Sequence, residues 1–347
     1  MTSGAPGHGR TVDWTGDEVL AIDQTRLPHD EVILRLHHVE ALAEAIRSLR
    51  IRGAMALGVA GGLGIALAIR RAQEHGEDVA QAADAAARLL MKTRPTAVNL
   101  ARGIEHVVAA LERGPDAAIE AAAELVEADV STNRAIAESG ADLVCHDLLS
   151  SKESPLVVLT HCNAGALAGV DVGTALGIVA ALHARGRVRE AISCETRPLL
   201  QGARLTCFEL ARMGIPCSLV VDSAAAGLIT QGMVDIVVVG ADRIAGNGDV
   251  ANKVGTLAHA LACHHAGIPF VVAAPEMTID ADCRSGSDIP IEERSGEEVL
   301  EFAGLRVTPE GVRARNPAFD VTPAALVTAI VTERRVIRPA AGERPGP

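Results

Sequence analysis

The stretch VDIVVVGADR, residues 234–243, carries the reading on which the fold turns. From Ile236 to Ala241 it is apolar without alternation, and it ends on Asp242 and Arg243. A half-exposed strand alternates apolar with polar residues, so an unbroken apolar run describes a strand covered on both faces. Four similar runs accompany it: LVVLTH at 156–161, residues 191–194, CSLVV at 217–221 and IPFVVA at 268–273. Helical spacing fills the intervals near 173–185, 199–213, 223–231 and 253–266. Strands and helices alternating at this distance predict an α/β fold, a parallel sheet wrapped by helices.

The endings of these runs point to function. They read Thr160-His161-Cys162-Asn163-Ala164-Gly165, Glu195-Thr196-Arg197, Asp222-Ser223, Gly240-Ala241-Asp242-Arg243 and Pro275-Glu276. One polar ending is an ordinary helix cap. Five in succession gather reactive groups at the carboxyl ends of parallel strands, where open α/β sheets hold their ligands.

The N-terminal part has a different rhythm. Segments near 34–49, 56–72, 76–92, 97–113 and 117–139 place apolar residues three and four apart, which predicts helices, and Val19–Ile22 predicts a small sheet. The uncharged stretch Gly53–Ile69 contains five glycines. It is too short and too weakly apolar for a membrane span and predicts a tightly packed buried helix. Composition shifts at LSSKESP, 149–155. The expected division is therefore a mainly helical domain over 1–148, a parallel-sheet domain over 149–337 and a disordered tail over 338–347.

The 347 residues are 48% hydrophobic and 22% charged, enough apolar matter for a large core. With 32 Lys and Arg against 44 Asp and Glu, the net charge of −12 disfavours a nucleic-acid or anionic-membrane surface. One Trp, four Phe and no Tyr leave little for stacking on bases or sugars. Seven cysteines without a C-x-x-C pair fit a reducing cytoplasm rather than a disulfide framework or zinc ribbon. MTSGAPGHGR at the N-terminus lacks an apolar core, so no secretion signal is expected.

Dinucleotide, phosphate-loop and nucleophile-elbow motifs are absent from the sequence. Cys162 closes a buried strand and precedes a glycine turn. There it can serve as nucleophile or base, or simply as a small buried hydrophobe. Asp242 follows the central apolar run, where desolvation would keep it protonated as a general acid; the alternative is a helix cap. The intervening Gly-Asn-Gly-Asp delays the next helix to about Asn252. Arg52, Gly53 and Ala54 open the small-residue helix, and Arg94 precedes another; two such arginines would hold a phosphate dianion. Lys253, one of three lysines, stands beside Asn252. Cys263-His264-His265 lies within a helical pattern, where adjacent side chains diverge, so no metal is expected there.

Several of these stretches share a resemblance. IRGAMALGVAGG, RPTAVNL, LTHCNAGALA, ETRPLLQGARLT, VGADRIAGNGDVANKVGT, IPFVVAAPEMTID and NPAFDVTPAALVTAIVTE resemble signatures of the S-methyl-5-thioribose-1-phosphate isomerase family. Its superfamily includes regulatory subunits of a translation initiation exchange factor and ribose-1,5-bisphosphate isomerase. The resemblance implies a mainly helical N-terminal domain, a Rossmann-like C-terminal domain and a homodimer. By motif it puts the catalytic pair on Cys162 and Asp242, and substrate binding on Arg52, Gly53, Ala54, Arg94, Gln201, Asn252 and Lys253.

The implied substrate is a small phosphorylated sugar, an aldose 1-phosphate turned into a ketose 1-phosphate. The anomeric phosphate locks the ring, so opening needs a proton on the ring oxygen, the role expected of Asp242. Hydrogen then moves from C2 to C1 through an enediol, with Cys162 as base, or as a hydride. Neither route calls for a metal or nucleotide, so no cofactor is expected. Met55, Ala101-Arg102 and Cys194 depart from the family pattern, which has Pro, an aromatic pair and Asp. These departures leave 5-deoxyribose 1-phosphate as a competing substrate. Ribose 1,5-bisphosphate is a second alternative that HCNAG and GADRIAGNGD fit less well. A non-catalytic subunit is the alternative class, against which retention of Cys162 and Asp242 argues.

Overall fold

The computed structural model describes residues 10–95 and 97–346, which divide into two compact units. Residues 1–9, on which the secretion argument rests, and Thr96 of RPTAVNL lie outside the described residues.

The first unit takes the chain up to Arg134 and adds Ala164–Gly173. Strands β1 (Val12–Trp14), β2 (Val19–Ile22) and β3 (Ile33–Leu36) form an antiparallel sheet in that order. Helices α1 (Val39–Arg47), α2 (Ala54–His75), α3 (Val79–Met91), α4 (Val98–Ala110) and α5 (Pro115–Asp142) follow. The glycines of α2 let α4 approach closely: a Cβ on Gly103 would overlap the Gly58 carbonyl oxygen. At 22 residues, with a mean hydropathy of 1.4 over its most apolar 18, α2 meets the length and composition of a membrane-crossing helix, contrary to the expectation that Gly53–Ile69 is too short and too weakly apolar. Yet 78% of its most apolar window is buried inside the protein, as in a core helix. Asp129 on α5 is buried; Asn133 donates to its Oδ2 at 3.0 Å, and Oδ1 has no partner. Burial lifts this carboxyl to about 7 against the opposing pull of the Val170 N–H and Asn133.

The second unit holds Ala135–Asn163 and the chain from Thr174 onward. Its main elements are β4 (Leu156–Thr160), α6 (Ala175–Ala184), β5 (Val188–Cys194), α7 (Cys207–Arg212), β6 (Cys217–Val220), α8 (Ala225–Thr230) and β7 (Ile236–Val239). After these come β8 (Arg243–Ala245), β9 (Val250–Lys253), α9 (Thr256–Ala266), β10 (Phe270–Ala273) and β11 (Ile279–Asp280). A short helix α10 (Glu297–Leu300) leads into the hairpin β12 (Glu301–Phe302) and β13 (Leu305–Arg306). The chain closes with β14 (Phe319–Thr322), β15 (Ala329–Val331) and β16 (Val336–Ile337).

Seven strands form the sheet β16-β15-β10-β7-β4-β5-β6, parallel except for β16. Counted in chain order, the parallel strands run 6-5-4-1-2-3, a doubly wound arrangement. Its order reverses between β4 and β7, where Val158 pairs with Ile236 and Leu159 with Val237. β4, β7 and β10 are buried along their whole length, as their unbroken hydrophobicity requires.

Three expectations are corrected. The division falls at Arg134 and Ala135, not at 148 and 149, because the last turns of α5 pack within the second unit. There Arg185 pairs with Glu138 at 2.6 Å and Asp142 at 2.7 Å. Periodicity reports a helix but not its packing partner. The delayed helix at Asn252 is instead strand β9, paired with β8 and β14 in the sheet β11-β8-β9-β14. Gly-Asn-Gly-Asp is the turn between β8 and β9, and Asn247 Oδ1 accepts the Asp249 N–H at 3.0 Å. The tail is folded as far as Gly346, the last described residue: Pro339 is buried, Arg338 donates to Asp147 at 2.7 Å and Gly346 N–H to the Gly246 carbonyl at 3.2 Å. Proline and glycine argue against helix and strand, not against packing.

Two outcomes are expected. Gly103→Ala lowers unfolding free energy in urea by about 3 kcal/mol, since overlap outweighs alanine's helix propensity. For Asp129 the unfolded carboxyl titrates near 3.8 and the native one near 7. The unfolded chain sheds its proton first as pH rises, so stability falls between those values. Asp129→Asn should remove that decline, on the order of 3 kcal/mol, when urea midpoints are compared across this range.

Candidate active site

Cys162 stands two residues beyond β4 in left-handed backbone, at φ 63°. A side chain in that region costs about 1–2 kcal/mol, so the surroundings must hold it there. Its N–H donates to Thr196 Oγ1 at 2.8 Å, and its carbonyl accepts from Thr206 Oγ1 at 2.6 Å. The Thr196 hydroxyl donates in turn to the Cys194 carbonyl at 3.1 Å. Asp222 anchors the same loop, accepting the Thr196 N–H at 2.8 Å and the Arg197 N–H at 2.7 Å. Beside Cys162, Asn163 is buried and donates to Glu209 at 2.7 Å.

Five non-glycine residues adopt left-handed backbone among the described residues. Cys162, Thr196 and Leu200 are three of them, all on the loops that follow β4 and β5. Strain concentrated at the carboxyl edge of a sheet is a signature of a functional site. Gln201 follows Leu200 and leads into the widened turn Gly202–Thr206 ahead of α7. Its side chain is buried, yet Oε1 has no hydrogen-bond partner among the described residues. A ligand hydroxyl would satisfy that orphaned acceptor.

Asp242 emerges beyond β7, the neighbour of β4, and its N–H donates to the Ala251 carbonyl at 3.0 Å. Cys162 and Asp242 therefore leave adjacent strands on either side of the point where strand order reverses. Asn252 and Lys253 lie on β9, registered against β8, which begins directly after Asp242. Asn252 Nδ2 donates to Thr256 Oγ1 at 3.0 Å. Lys253 Nζ donates to the Ala318 carbonyl at 2.8 Å and sits 4.6 Å from the centre of the Phe319 ring. Asp320 receives the Gly255 and Leu257 N–H groups at 2.7 and 3.1 Å at the start of α9. Burial nevertheless holds its carboxyl above the ordinary range.

Arg52, Gly53, Ala54 and Arg94 belong to the first unit. Arg52 Nε donates to Gln24 Oε1 at 2.9 Å, while Gln24 Nε2 donates to the Leu167 carbonyl at 2.8 Å. Gly53 lies at φ 102°, and a Cβ there would collide with the Ala168 backbone. Ala54 begins α2, so backbone N–H groups face forward at a helix start. Arg94 occupies the turn before α4, its carbonyl accepting the Ala97 N–H at 3.0 Å. Met55 accepts a hydrogen bond from Asn99 Nδ2 at 3.4 Å.

Thr196, Thr206, Glu209, Asp222 and Asp320 escaped the sequence reading. Thr196 and Asp222 sat in the quoted strand endings, which was their only signal. Behind the Cys162 loop, His161 is buried, its Nε2 bonded to the Val254 carbonyl at 2.8 Å. Burial pushes its pKa down to about 4, and that of buried His259 to about 3. Both rings are neutral at neutral pH.

Residues 50–339 match the initiation factor 2 subunit family. A methylthioribose-1-phosphate isomerase of Geotalea uraniireducens is 46% identical over 339 residues, covering 95% of each chain. A probable bifunctional methylthioribose-1-phosphate isomerase/methylthioribulose-1-phosphate dehydratase of Nocardia farcinica is 48% identical over 336 residues. That match takes in 97% of this chain but only 60% of the Nocardia protein. Among solved structures, 5-methylthioribose 1-phosphate isomerase from Pyrococcus horikoshii superposes with a TM-score of 0.86 at 39% identity, over 96% and 93% of the two chains. The delta subunit of translation initiation factor eIF-2B from A. fulgidus gives 0.84 at 43% identity, over 96% of both.

Thr196→Val should expose how far the strained loop depends on one hydroxyl. Without it the Cys162 N–H has no acceptor there, at a cost of about 1–3 kcal/mol. Urea denaturation should register that loss, and iodoacetamide should alkylate Cys162 faster than in the wild type.

Proposed function

Since the chain belongs to the initiation factor 2 subunit family, we propose that it converts S-methyl-5-thio-α-D-ribose 1-phosphate into S-methyl-5-thio-D-ribulose 1-phosphate, an aldose–ketose isomerisation of methionine salvage. One observation carries the reading: Cys162 and Asp242 leave adjacent parallel strands at the reversal of strand order, Cys162 on a strained and hydrogen-bonded loop. Open α/β sheets hold ligands at that point.

The chemistry assigns a task to each group. The substrate ring opens when its oxygen takes a proton and the C1–O bond breaks, and Asp242 supplies that proton. Hydrogen leaves C2 and arrives at C1, while the C2 hydroxyl loses its proton to become the ketone. In the enediol route the Cys162 thiolate removes the C2 proton; in the hydride route it shapes and polarises the site. Gln201 offers its orphaned carbonyl oxygen to a sugar hydroxyl. Asn252 orients the sugar, and Lys253 brings positive charge. Within the first unit, the resemblance assigns phosphate binding to Arg52, Arg94 and the backbone N–H groups of Gly53 and Ala54.

The same reading carries a homodimer in the cytoplasm, without a membrane or nucleic-acid partner. All seven cysteines are free, which supports a reducing compartment. Leu219 on edge strand β6 and Val221 just beyond it, each about half exposed, supply apolar surface for a second copy.

Turnover of methylthioribose 1-phosphate, 5-deoxyribose 1-phosphate and ribose 1,5-bisphosphate tests the proposal. The first should show the highest kcat/KM. Cys162→Ser and Asp242→Asn should each lower kcat by at least about 100-fold with unchanged circular dichroism, on the scale of general acid–base catalysis. Unchanged turnover in both variants would refute the assignment. In deuterated water, solvent deuterium at C1 marks the enediol route, and complete retention of the C2 hydrogen counts against a freely exchanging enediol base.

A further inference from the structure

Three buried donors converge behind the Cys162 loop: His161, Cys194 and His259, their ligand atoms all within 4.8 Å of one another. They come from the residue after β4, the end of β5 and the first turn of α9, so the fold rather than a sequence motif assembles them. His259 Nε2 lies 3.2 Å from His161 Nδ1 and 3.6 Å from Cys194 Sγ. Around a tetrahedral zinc ion, ligand atoms at roughly 2.0–2.3 Å from the metal stand about 3.3–3.6 Å apart. The two spacings that involve His259 are close to those needed, within a cluster that spans up to 4.8 Å.

We propose that His161, Cys194 and His259, with Asp222 as fourth donor, bind one zinc-like divalent cation that pins the Cys162 loop from behind. The tautomer of His161 supports this use. Its Nε2 faces the Val254 carbonyl, which only accepts, so Nε2 carries the hydrogen and Nδ1 presents its lone pair to the cluster. A carbonyl that orients a ligating histidine from the far side is the usual supporting partner in zinc sites. His259 turns Nε2 toward the cluster, 3.2 Å from His161 Nδ1, and binding a cation there would move its hydrogen to Nδ1. Asp222 Oδ1 lies 3.9 Å from His161 Nδ1, the carboxylate nearest that ligand nitrogen for which a contact is present.

Charge argues the same way. Asp222 and Glu195 bring negative charge to the side of the cluster that holds Cys194. Binding breaks the S–H bond, sends its proton to water and forms a metal–thiolate bond. The dication, one thiolate and one carboxylate then sum to zero in a buried site. Because Asp222 also accepts from the loop of Thr196, the partner of Cys162, the cation would tie both strained loops together.

The test uses the full chain, stripped with a chelator and titrated with cobalt(II), then separately with zinc. One cobalt per chain is expected, with the visible bands of a tetrahedral site and a sulfur-to-cobalt charge-transfer band. Cys194→Ser should remove the charge-transfer band, while Cys162→Ser keeps it. Should Cys194→Ser fail to fold, zinc retained by the wild-type chain after gel filtration decides: near one equivalent supports the site, and below about a tenth overturns it. A charge-transfer band that vanishes with Cys162 instead of Cys194 also overturns the proposal.

Discussion

Burying both faces of a parallel sheet constrains everything else in this protein. Once β4, β7 and β10 are apolar along their length, polar side chains have no place within them and must appear where the strands stop. Strand direction then sends His161-Cys162-Asn163, Thr196-Arg197, Asp222 and Asp242 to one edge. The reversal of order between β4 and β7 opens a place for a ligand between loops that diverge to opposite sides.

That edge is held by hydrogen bonds in exchange for backbone strain. Left-handed Cys162 and Thr196 are each disfavoured by themselves, and each is fixed through the other's groups. Thr206 and Asp222 complete the arrangement from α7's leading turn and from the end of β6. Such a site is pre-organised: the cost of its geometry is met during folding, before any substrate arrives. The same logic applies to the orphaned oxygen of Gln201, an acceptor kept dry until a ligand meets it.

The alternation of β and α elements was legible because buried strands and amphipathic helices differ in period. The catalytic candidates were legible because they interrupt apolar runs. Less visible were strands of three residues such as β8 and β15, too short for any period to emerge. Also hidden was the packing of the last turns of α5 within the second unit, since a helical face does not name its neighbour. The tail misled for a related reason: Arg338 and Pro339 pack through tertiary contacts that composition does not encode.

The sequence by itself determined the class of fold, the approximate position of each buried strand and the residues that end them. It did so because burial and periodicity are local properties of the chain. Tertiary structure alone decided which ends are neighbours, which backbone is strained, and that His161, Cys194 and His259 meet. These residues lie 33 and 65 positions apart along the chain, and only the order of strands and the docking of α9 bring them together.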